Sequence, residues 1–194
     1  MKRIENALDY VKSIFLDRFS NSTSIDQTES VLKDSRWIKR KVVLNNQINS
    51  PKGNSKGDLV NRKRARVYWA ELGTNVGSEF NDPHYCVVWK PYGTHSVIIP
   101  LTSVKTEKSQ PYKSKENGYI FIGEIEGLNG STKESYAILS QIRTLSNKRL
   151  TGIFDKGEKK FVNIKLSNQQ MDDIEAEMVN HFLGKSRKEV YNLI

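Results

Sequence analysis

The sequence predicts a mainly β protein with α-helices, in which a compact twisted sheet or small barrel is preceded by a helical extension. After residue 62, short segments rich in β-branched and aromatic residues recur, and Gly, Asn or Pro separates them. A Ser-Asn-Gln-Gln run at 167–170 then has the form of a helix-capping box. Helical periodicity is confined to the regions before and after these segments, which predicts a β domain between helices.

The N-terminal region predicts two helices and a linker. Residues 3–19 carry apolar side chains at helical spacing and predict an amphipathic helix of about four turns. A polar break at 20–24 precedes a weaker helix predicted over 28–44, with Val31, Ile38 and Val42 on one side. This helix carries a run of basic residues, Arg36, Lys39, Arg40 and Lys41. The run predicts a solvated face or, alternatively, a contact with RNA or an acidic partner. The composition of residues 45–63 is that of a linker.

Six strands and one helix are predicted in the remainder. The strands fall at 66–70, 85–89, 96–101, 119–122, 136–139 and 161–166. The helix begins at Ser167 and ends at Gly184, with an apolar stripe of Met171, Ile174, Met178, Phe182 and Leu183. The predicted organisation is a helical extension and linker at 1–62, a β domain with its C-terminal helix at 63–184, and a charged tail at 185–194.

Composition narrows the possible partners and compartment. The net charge of +9 on 194 residues favours nucleic acid or an acidic protein. The single cysteine, Cys86, lies in an apolar run and predicts a buried structural thiol in a reducing cytosol. With three histidines and no CxxC or HExxH motif, a structural zinc site is not expected. Charges interrupt the N-terminus and no apolar stretch is long enough to span a bilayer, so we expect a soluble, cytoplasmic protein without membrane contact.

Polar residues at the ends of the predicted strands suggest a site for RNA cleavage. Without a metal ion, this reaction needs a group that moves the 2′-hydroxyl proton, a cation near the phosphate, and donors for the pentacoordinate intermediate. Histidine changes charge near neutral pH, which makes His84, at the start of a strand after Asp82-Pro83, the best general acid or base. The other candidates supply charge or hydrogen bonds: Arg143, Arg66, Ser78, Thr102, Ser103 and Gln141.

Each candidate also has a structural interpretation that the sequence leaves open. Thr102 and Ser103 are also compatible with a strand-end cap, and Gln141 with a plain surface residue. Arg143 is compatible with an ion pair to Glu79 that joins two loops. A lone histidine at a loop mouth is more often structural than catalytic.

Five motifs together resemble the MazF/PemK family of toxins from type II toxin–antitoxin pairs. In chain order they are Arg64-Ala65-Arg66-Val67-Tyr68-Trp69, Gly77-Ser78-Glu79, Pro100-Leu101-Thr102, Gln141-Ile142-Arg143-Thr144-Leu145 and Lys148-Arg149-Leu150. The resemblance covers about residues 64–183. It implies an SH3-like twisted β-barrel with a C-terminal helix, and a metal-independent endoribonuclease that needs no cofactor. Its products from single-stranded RNA would carry 2′,3′-cyclic phosphate and 5′-hydroxyl ends.

The resemblance also implies partners: a homodimer, a cognate antitoxin that fills the RNA groove, and DNA contact only through the antitoxin complex. At the level of residues, it gives Thr102 the place of the family's catalytic threonine. It places Ser78 and Gln141 in the lining of the same site, with Arg143 or Arg66 supplying charge to the phosphate.

The sequence departs from the family pattern at three places. His84 stands where the family carries its catalytic arginine, so either it replaces that arginine as the acid or base, or the domain is a catalytically silent module that binds nucleic acid or a partner. The segment 154–165 is longer than the family's usual link and predicts an extra hairpin. Residues 1–62 have no counterpart in the minimal toxin. A gyrase-poisoning toxin of the same fold is a weaker alternative, since no determinant of it is visible at the C-terminus.

Overall fold

The computed structural model describes residues 6, 9–10, 12–14, 16–17, 25–46, 62–104, 113–128 and 134–184. The chain separates into two compact units, residues 1–47 and 48–194. Most of the predicted linker and the predicted charged tail lie outside the described residues. Within the described ranges, no helix is both long and apolar enough to cross a membrane.

The N-terminal unit is helical where it is described. Every described residue between 6 and 17 is in a helix, as predicted, and helix α1 spans Ile25–Asn46. Val31 and Leu44 are buried in this helix, whereas Ile38 and Val42 are exposed. Because spacings of seven and four residues fall on one side of a helix, the three predicted residues do share a side, but of the three only Val31 is buried. Arg36, Lys39 and Lys41 are exposed, as expected of a solvated face.

Seven antiparallel strands form the main sheet of the second unit. They are β1 (Val67–Glu71), β2 (Pro83–Tyr92), β3 (His95–Ser103), β4 (Tyr119–Glu124), β5 (Glu134–Ile138), β6 (Arg143–Ser146) and β7 (Leu150–Thr151). Their order is β4-β5-β3-β2-β1-β7. Strand β3 pairs with β2 along one edge, and its other edge is shared by β6 and then β5. Two short 3₁₀ turns, Leu139–Gln141 and Asn147–Arg149, flank β6.

The sheet is open, so the predicted barrel is not confirmed. Strands β4 and β7 end the strand order, and no pairing among the described residues joins them. Strand alternation is the same in an open sheet and in a barrel, which is why the sequence does not distinguish the two.

A small hairpin follows the sheet. Strands β8 (Ile153–Asp155) and β9 (Lys160–Val162) pair with each other, and with no other strand of the described ranges, to form the hairpin predicted within 154–165. The strand predicted over 161–166 is divided in the structure. Beyond β9, Ile164 and Leu166 form backbone hydrogen bonds with Val67 and Ala65 at the start of β1.

Alternation along the strands creates two buried clusters on opposite sides of the sheet. On the side that we call the helix face, Val87 and Ile99 pack in one cluster with Met171 and Ile174 of the C-terminal helix. On the side that we call the far face, a second cluster forms from Tyr68, Ala70, Leu72, Cys86, Val88, Ile98, Leu145 and Leu150. Cys86 is fully buried, which confirms the predicted buried thiol, and its burial raises the pKa of the thiol.

The C-terminal helix α2 (Asn168–Leu183) begins and ends where the sequence predicts. Ser167 Oγ accepts a hydrogen bond from Gln170 N, while Gln170 Oε1 accepts one from Ser167 N. Gly184 ends the helix in the left-handed region at φ 61°. Gln170 Nε2 also donates to the carbonyls of Ile122 and Glu124 at 2.8 Å, which fastens the helix to β4. The far end of the predicted stripe is not buried, since Phe182 and Leu183 are exposed.

Candidate active site

His84 and Thr102 lie at the same end of two neighbouring strands. The last β2–β3 pair in this direction joins Cys86 and Pro100. His84 and Thr102 each lie two residues beyond that pair, so they are the next residues on the same face of their strands. Since Cys86 belongs to the far-face cluster, both predicted catalytic side chains are on the far face. Both are partly exposed.

The ring of His84 is held by its neighbours in an orientation that suits a base. Its centroid lies 4.1 Å from that of Phe80, and Nδ1 lies 3.4 Å from the carbonyl oxygen of Asp82. A carbonyl can only accept a hydrogen bond, so this contact favours the tautomer with the proton on Nδ1. The Nε2 atom then carries the lone pair that a general base needs.

Gln141 holds the loop between β1 and β2 in place. Its Oε1 atom accepts a hydrogen bond from Phe80 N at 3.0 Å, and its Nε2 atom lies 3.4 Å from the carbonyl oxygen of Ser78. The same Oε1 atom accepts a hydrogen bond from Arg143 Nη2 at 2.6 Å. Gln141 is therefore a positioning residue, because it fixes the position of both the loop that contacts His84 and the guanidinium of Arg143.

Two arginines form the cationic part of the site. Arg143 donates to Gln141 through both Nε and Nη2, and it forms no ion pair with Glu79, although both residues are in the described part of the chain. Arg149 donates to the carbonyls of Glu71, at 2.6 Å, and Leu72. Partial burial lowers the pKa of Arg149, and the charge of Arg143 lowers it further. A phosphate bound here would relieve the repulsion between the two cations.

The remaining predicted residues, Ser78 and Arg66, lie further from His84 and Thr102. Ser78 is exposed on the loop, which contacts Gln141 through its backbone carbonyl. Arg66 lies four residues along β1 from Ala70, the partner of His84, or about 13 Å at the usual strand rise. The register thus brings His84 and Thr102 together. Arg143 pairs with Ile98, four residues from Thr102, and is linked to His84 through Gln141 and Phe80 instead. The register does not bring Arg66 to this group.

Sequence reasoning missed Phe80 and Arg149 as members of the site. Phe80 has no polar group that would mark it, and only its contact with the His84 ring reveals its place. A signal for Arg149 was present, because it follows Arg143 by six residues in a basic run of the last motif. The described ranges contain no group of three or more His, Cys, Asp or Glu side chains placed to hold a metal ion.

An open cavity of about 840 Å³ lies apart from these residues, beside the β8–β9 hairpin. Its lining includes four aromatic side chains, those of Trp69, Tyr85, Phe154 and Phe161. Tyr85 alternates with His84 along β2 and packs against the helix-face cluster. The cavity therefore belongs to the helix face and is not part of the candidate site.

Replacing Gln141 with alanine is expected to loosen the loop and lower the free energy of unfolding by about 1–2 kcal/mol, since Phe80 N loses its acceptor. Amide hydrogen exchange checks this: the Phe80 amide should exchange about tenfold faster than in the parent. Thr144→Ala, an exposed change three residues away, is the matched control. An unchanged exchange rate at Phe80 in Gln141→Ala would contradict the clamping role.

Comparisons with known proteins identify the family of this chain and several similar structures. The family described as "PemK-like, MazF-like toxin of type II toxin-antitoxin system" matches residues 63–182. An endoribonuclease in complex with its cognate antitoxin, from a mycobacterial species, is similar at 14% identity over 63% of this chain and 95% of that chain, with a TM-score of 0.41. MazF from Deinococcus radiodurans is similar at 11% identity over 64% and 97% of the two chains, with a TM-score of 0.43. No curated protein matches the sequence significantly.

Proposed function

Since the chain belongs to the PemK-like, MazF-like toxin family, we propose that it is a toxin endoribonuclease that cleaves single-stranded RNA without a metal ion. The observation that carries this proposal is the placement of His84 and Thr102 on one face and at one end of β2 and β3. The guanidinium groups of Arg143 and Arg149, which lie close enough to repel each other, add the charge that a phosphate requires.

The proposed reaction uses each group in turn. His84 Nε2 takes the proton of the ribose 2′-hydroxyl, whose oxygen then bonds to the adjacent phosphorus. The Thr102 hydroxyl donates a hydrogen bond to the phosphoryl oxygen on which negative charge grows, and Arg143 and Arg149 stabilise the same charge. The bond to the 5′-oxygen breaks, and water protonates this oxygen at the partly exposed end of the sheet. The products carry 2′,3′-cyclic phosphate and 5′-hydroxyl ends.

Partners follow from the same proposal. A cognate antitoxin would inhibit the toxin by occupying the RNA groove, and the chain's net charge of +9 suits an acidic antitoxin segment as well as RNA. We further propose a homodimer that acts in the cytoplasm and that meets DNA only through the antitoxin complex. One observation favours a second candidate: histidine in place of the family's arginine is also compatible with a catalytically silent module that only binds nucleic acid.

Incubation of the purified protein with a long mixed-sequence RNA in excess EDTA tests the proposal. We expect discrete cuts that bear 5′-hydroxyl ends. Thr102→Val, which keeps the shape of the side chain and removes its hydroxyl, should slow cleavage by about 10²–10³-fold. Ser103→Ala, the neighbouring hydroxyl on the opposite face of β3, is the control and should cleave at the parental rate. RNA that stays intact while binding persists would establish the silent binding module instead.

A further inference from the structure

A row of aromatic side chains extends from Thr102 across two further strands. Thr102 is the register partner of Tyr136 on β5, and Tyr136 is the partner of Phe121 on β4. Ile120 and Ile122 are buried in the helix-face cluster, so Phe121 between them is on the opposite side of β4. The rings of Phe121 and Tyr136 are 5.7 Å apart, and Tyr119 packs edge-on to Tyr136 at 6.3 Å. We call Tyr119, Phe121 and Tyr136 the aromatic row.

The aromatic row contributes little to the core and remains accessible. Phe121 is 50% exposed, and Tyr119 and Tyr136 are each partly exposed. An isolated exposed ring is ordinary on a protein surface, but three contacting rings on one sheet face form the type of patch that marks a binding surface. The aromatic row is therefore a candidate binding surface, and the groups around it indicate which class of ligand it would bind.

The charges beside the rings point to a single-stranded nucleic acid as that ligand. Lys113 Nζ lies 5.5 Å from the centroid of the Tyr136 ring and donates to the carbonyl oxygen of Ser103, next to Thr102, at 2.9 Å. Aromatic faces that receive bases, beside a cation that receives phosphate, are the usual components of single-strand binding surfaces. Glu124 and Glu134 are opposed at the other end of the β4–β5 pair, where they repel phosphate and mark one border of the row.

We propose that the bases on one side of the cleaved phosphate stack on Tyr136 and Phe121, while Lys113 contacts the adjoining backbone. This inference rests on the proposed function, because Thr102 fixes where the phosphate lies. Neighbouring strands are about 4.8 Å apart, so the row begins about 5 Å from Thr102 and reaches Phe121 at about 10 Å. That length accommodates two or three nucleotides at the 3.4 Å spacing of stacked bases.

Binding, measured separately from cleavage, tests the inference. The probe is a short, fluorescein-labelled single-stranded RNA whose riboses are 2′-O-methylated, so that it cannot be cut, and fluorescence anisotropy gives its Kd. Phe121→Ala should raise the Kd by about 5- to 100-fold, and Phe121→Tyr should stay close to the parent because the ring remains. Phe154→Ala removes a similarly exposed phenylalanine, paired with Phe161 on the β8–β9 hairpin, and should leave the Kd unchanged.

Lys113→Gln provides a second test that does not disturb the rings. We expect a several-fold higher Kd. In a plot of log K against log salt concentration, the slope should be smaller in magnitude by about one, because one fewer counterion is released on binding. This variant decides the question if Phe121→Ala fails to fold.

The outcomes separate the two proposals. If the parent binds the probe through Phe121 but cuts no RNA, the proposed role of the aromatic row is supported and the endoribonuclease proposal is wrong. If Phe121→Ala and Lys113→Gln bind the probe as the parent does, the row is not an RNA surface. A fall in oligomer mass of Phe121→Ala on size-exclusion chromatography, with binding unchanged, would assign the row to a subunit contact and also overturn the inference.

Discussion

His84→Ala is expected to lower the rate of RNA cleavage by about 10²–10⁴-fold and to leave the fold intact. The expected loss is that of a proton-transfer group, because alanine removes Nε2 and leaves no other titratable side chain of the candidate site in its place. The side chain is only partly buried and its main contact is the Phe80 ring, so the change should cost little stability. Single-turnover cleavage of a defined RNA, with circular dichroism as a check of folding, measures the effect.

Two further variants separate proton transfer from charge. His84→Arg introduces the residue type that the family carries at this position. If the imidazole transfers the proton, His84→Arg should cleave as slowly as His84→Ala, whereas a rate close to that of the parent would show that positive charge at this position is sufficient. His95→Ala is the control: it removes an exposed imidazole that stacks on Tyr92 at the β2–β3 turn. Parental cleavage by His84→Ala would show that another group moves the proton.

Elements that are stabilised by contacts between residues close in sequence could be predicted from the sequence. The capping box at Ser167 and the glycine at 184 define helix α2 through contacts within a few residues, and both ends were predicted correctly. The central strands were likewise predicted within about three residues, because each has its own run of β-branched or aromatic side chains. Strand β8 was predicted only as part of the extra hairpin within 154–165, and strands β6 and β7 were missed. They are two to four residues long, and β6 and β7 exist because β3 and β1 offer free edges for pairing.

The candidate site was predicted in its residue types but only partly in its geometry. The motifs contain His84, Thr102, Gln141 and Arg143. His84 and Thr102 lie at one end of β2 and β3, and Gln141 and Arg143 are linked to His84 through the Phe80 loop. The direction of an amide is not visible in a sequence, however, and Gln141 turns its Oε1 atom to Phe80 N and Arg143. Arg66 and Arg143 looked equivalent as charges, and the register sets each of them about four residues from the site. What distinguishes Arg143 is its side-chain link to His84 through Gln141 and Phe80, which a sequence does not show.

Arg62→Ala is expected to lower the free energy of unfolding by about 3 kcal/mol. Arg62 is the last residue of the predicted linker, yet it is only 5% exposed. Its Nη2 atom donates to the carbonyls of Asn147 and Leu150, and its guanidinium lies 4.8 Å from the centroid of the Tyr68 ring. Alanine would leave two buried carbonyls without this donor, at about 1–3 kcal/mol each, and remove a cation–π contact.

Urea unfolding monitored by tryptophan fluorescence measures this loss, and the melting temperature should fall by about 10 °C. Lys63→Ala, an exposed neighbour, should stay within about 0.5 kcal/mol of the parent. Arg62→Lys should recover only part of the stability, because a single ammonium does not reproduce the planar guanidinium that stacks on Tyr68 and reaches both carbonyls. A loss in Arg62→Ala no larger than that of Lys63→Ala would show that water replaces the guanidinium without cost.

The same substitution should reach the candidate site through the turn that Arg62 holds. Asn147, whose carbonyl accepts from Arg62, begins the 3₁₀ turn Asn147–Arg149, and this turn carries the second guanidinium of the site. Arg62 touches none of the proposed reacting groups, so it acts as a positioning residue through Arg149. At a temperature where Arg62→Ala is still folded, we therefore expect slower cleavage than in the parent. If the folded variant cleaves at the parental rate, Arg62 contributes to stability but not to cleavage. Arg149 would then be held in position by its own hydrogen bonds to Glu71 and Leu72.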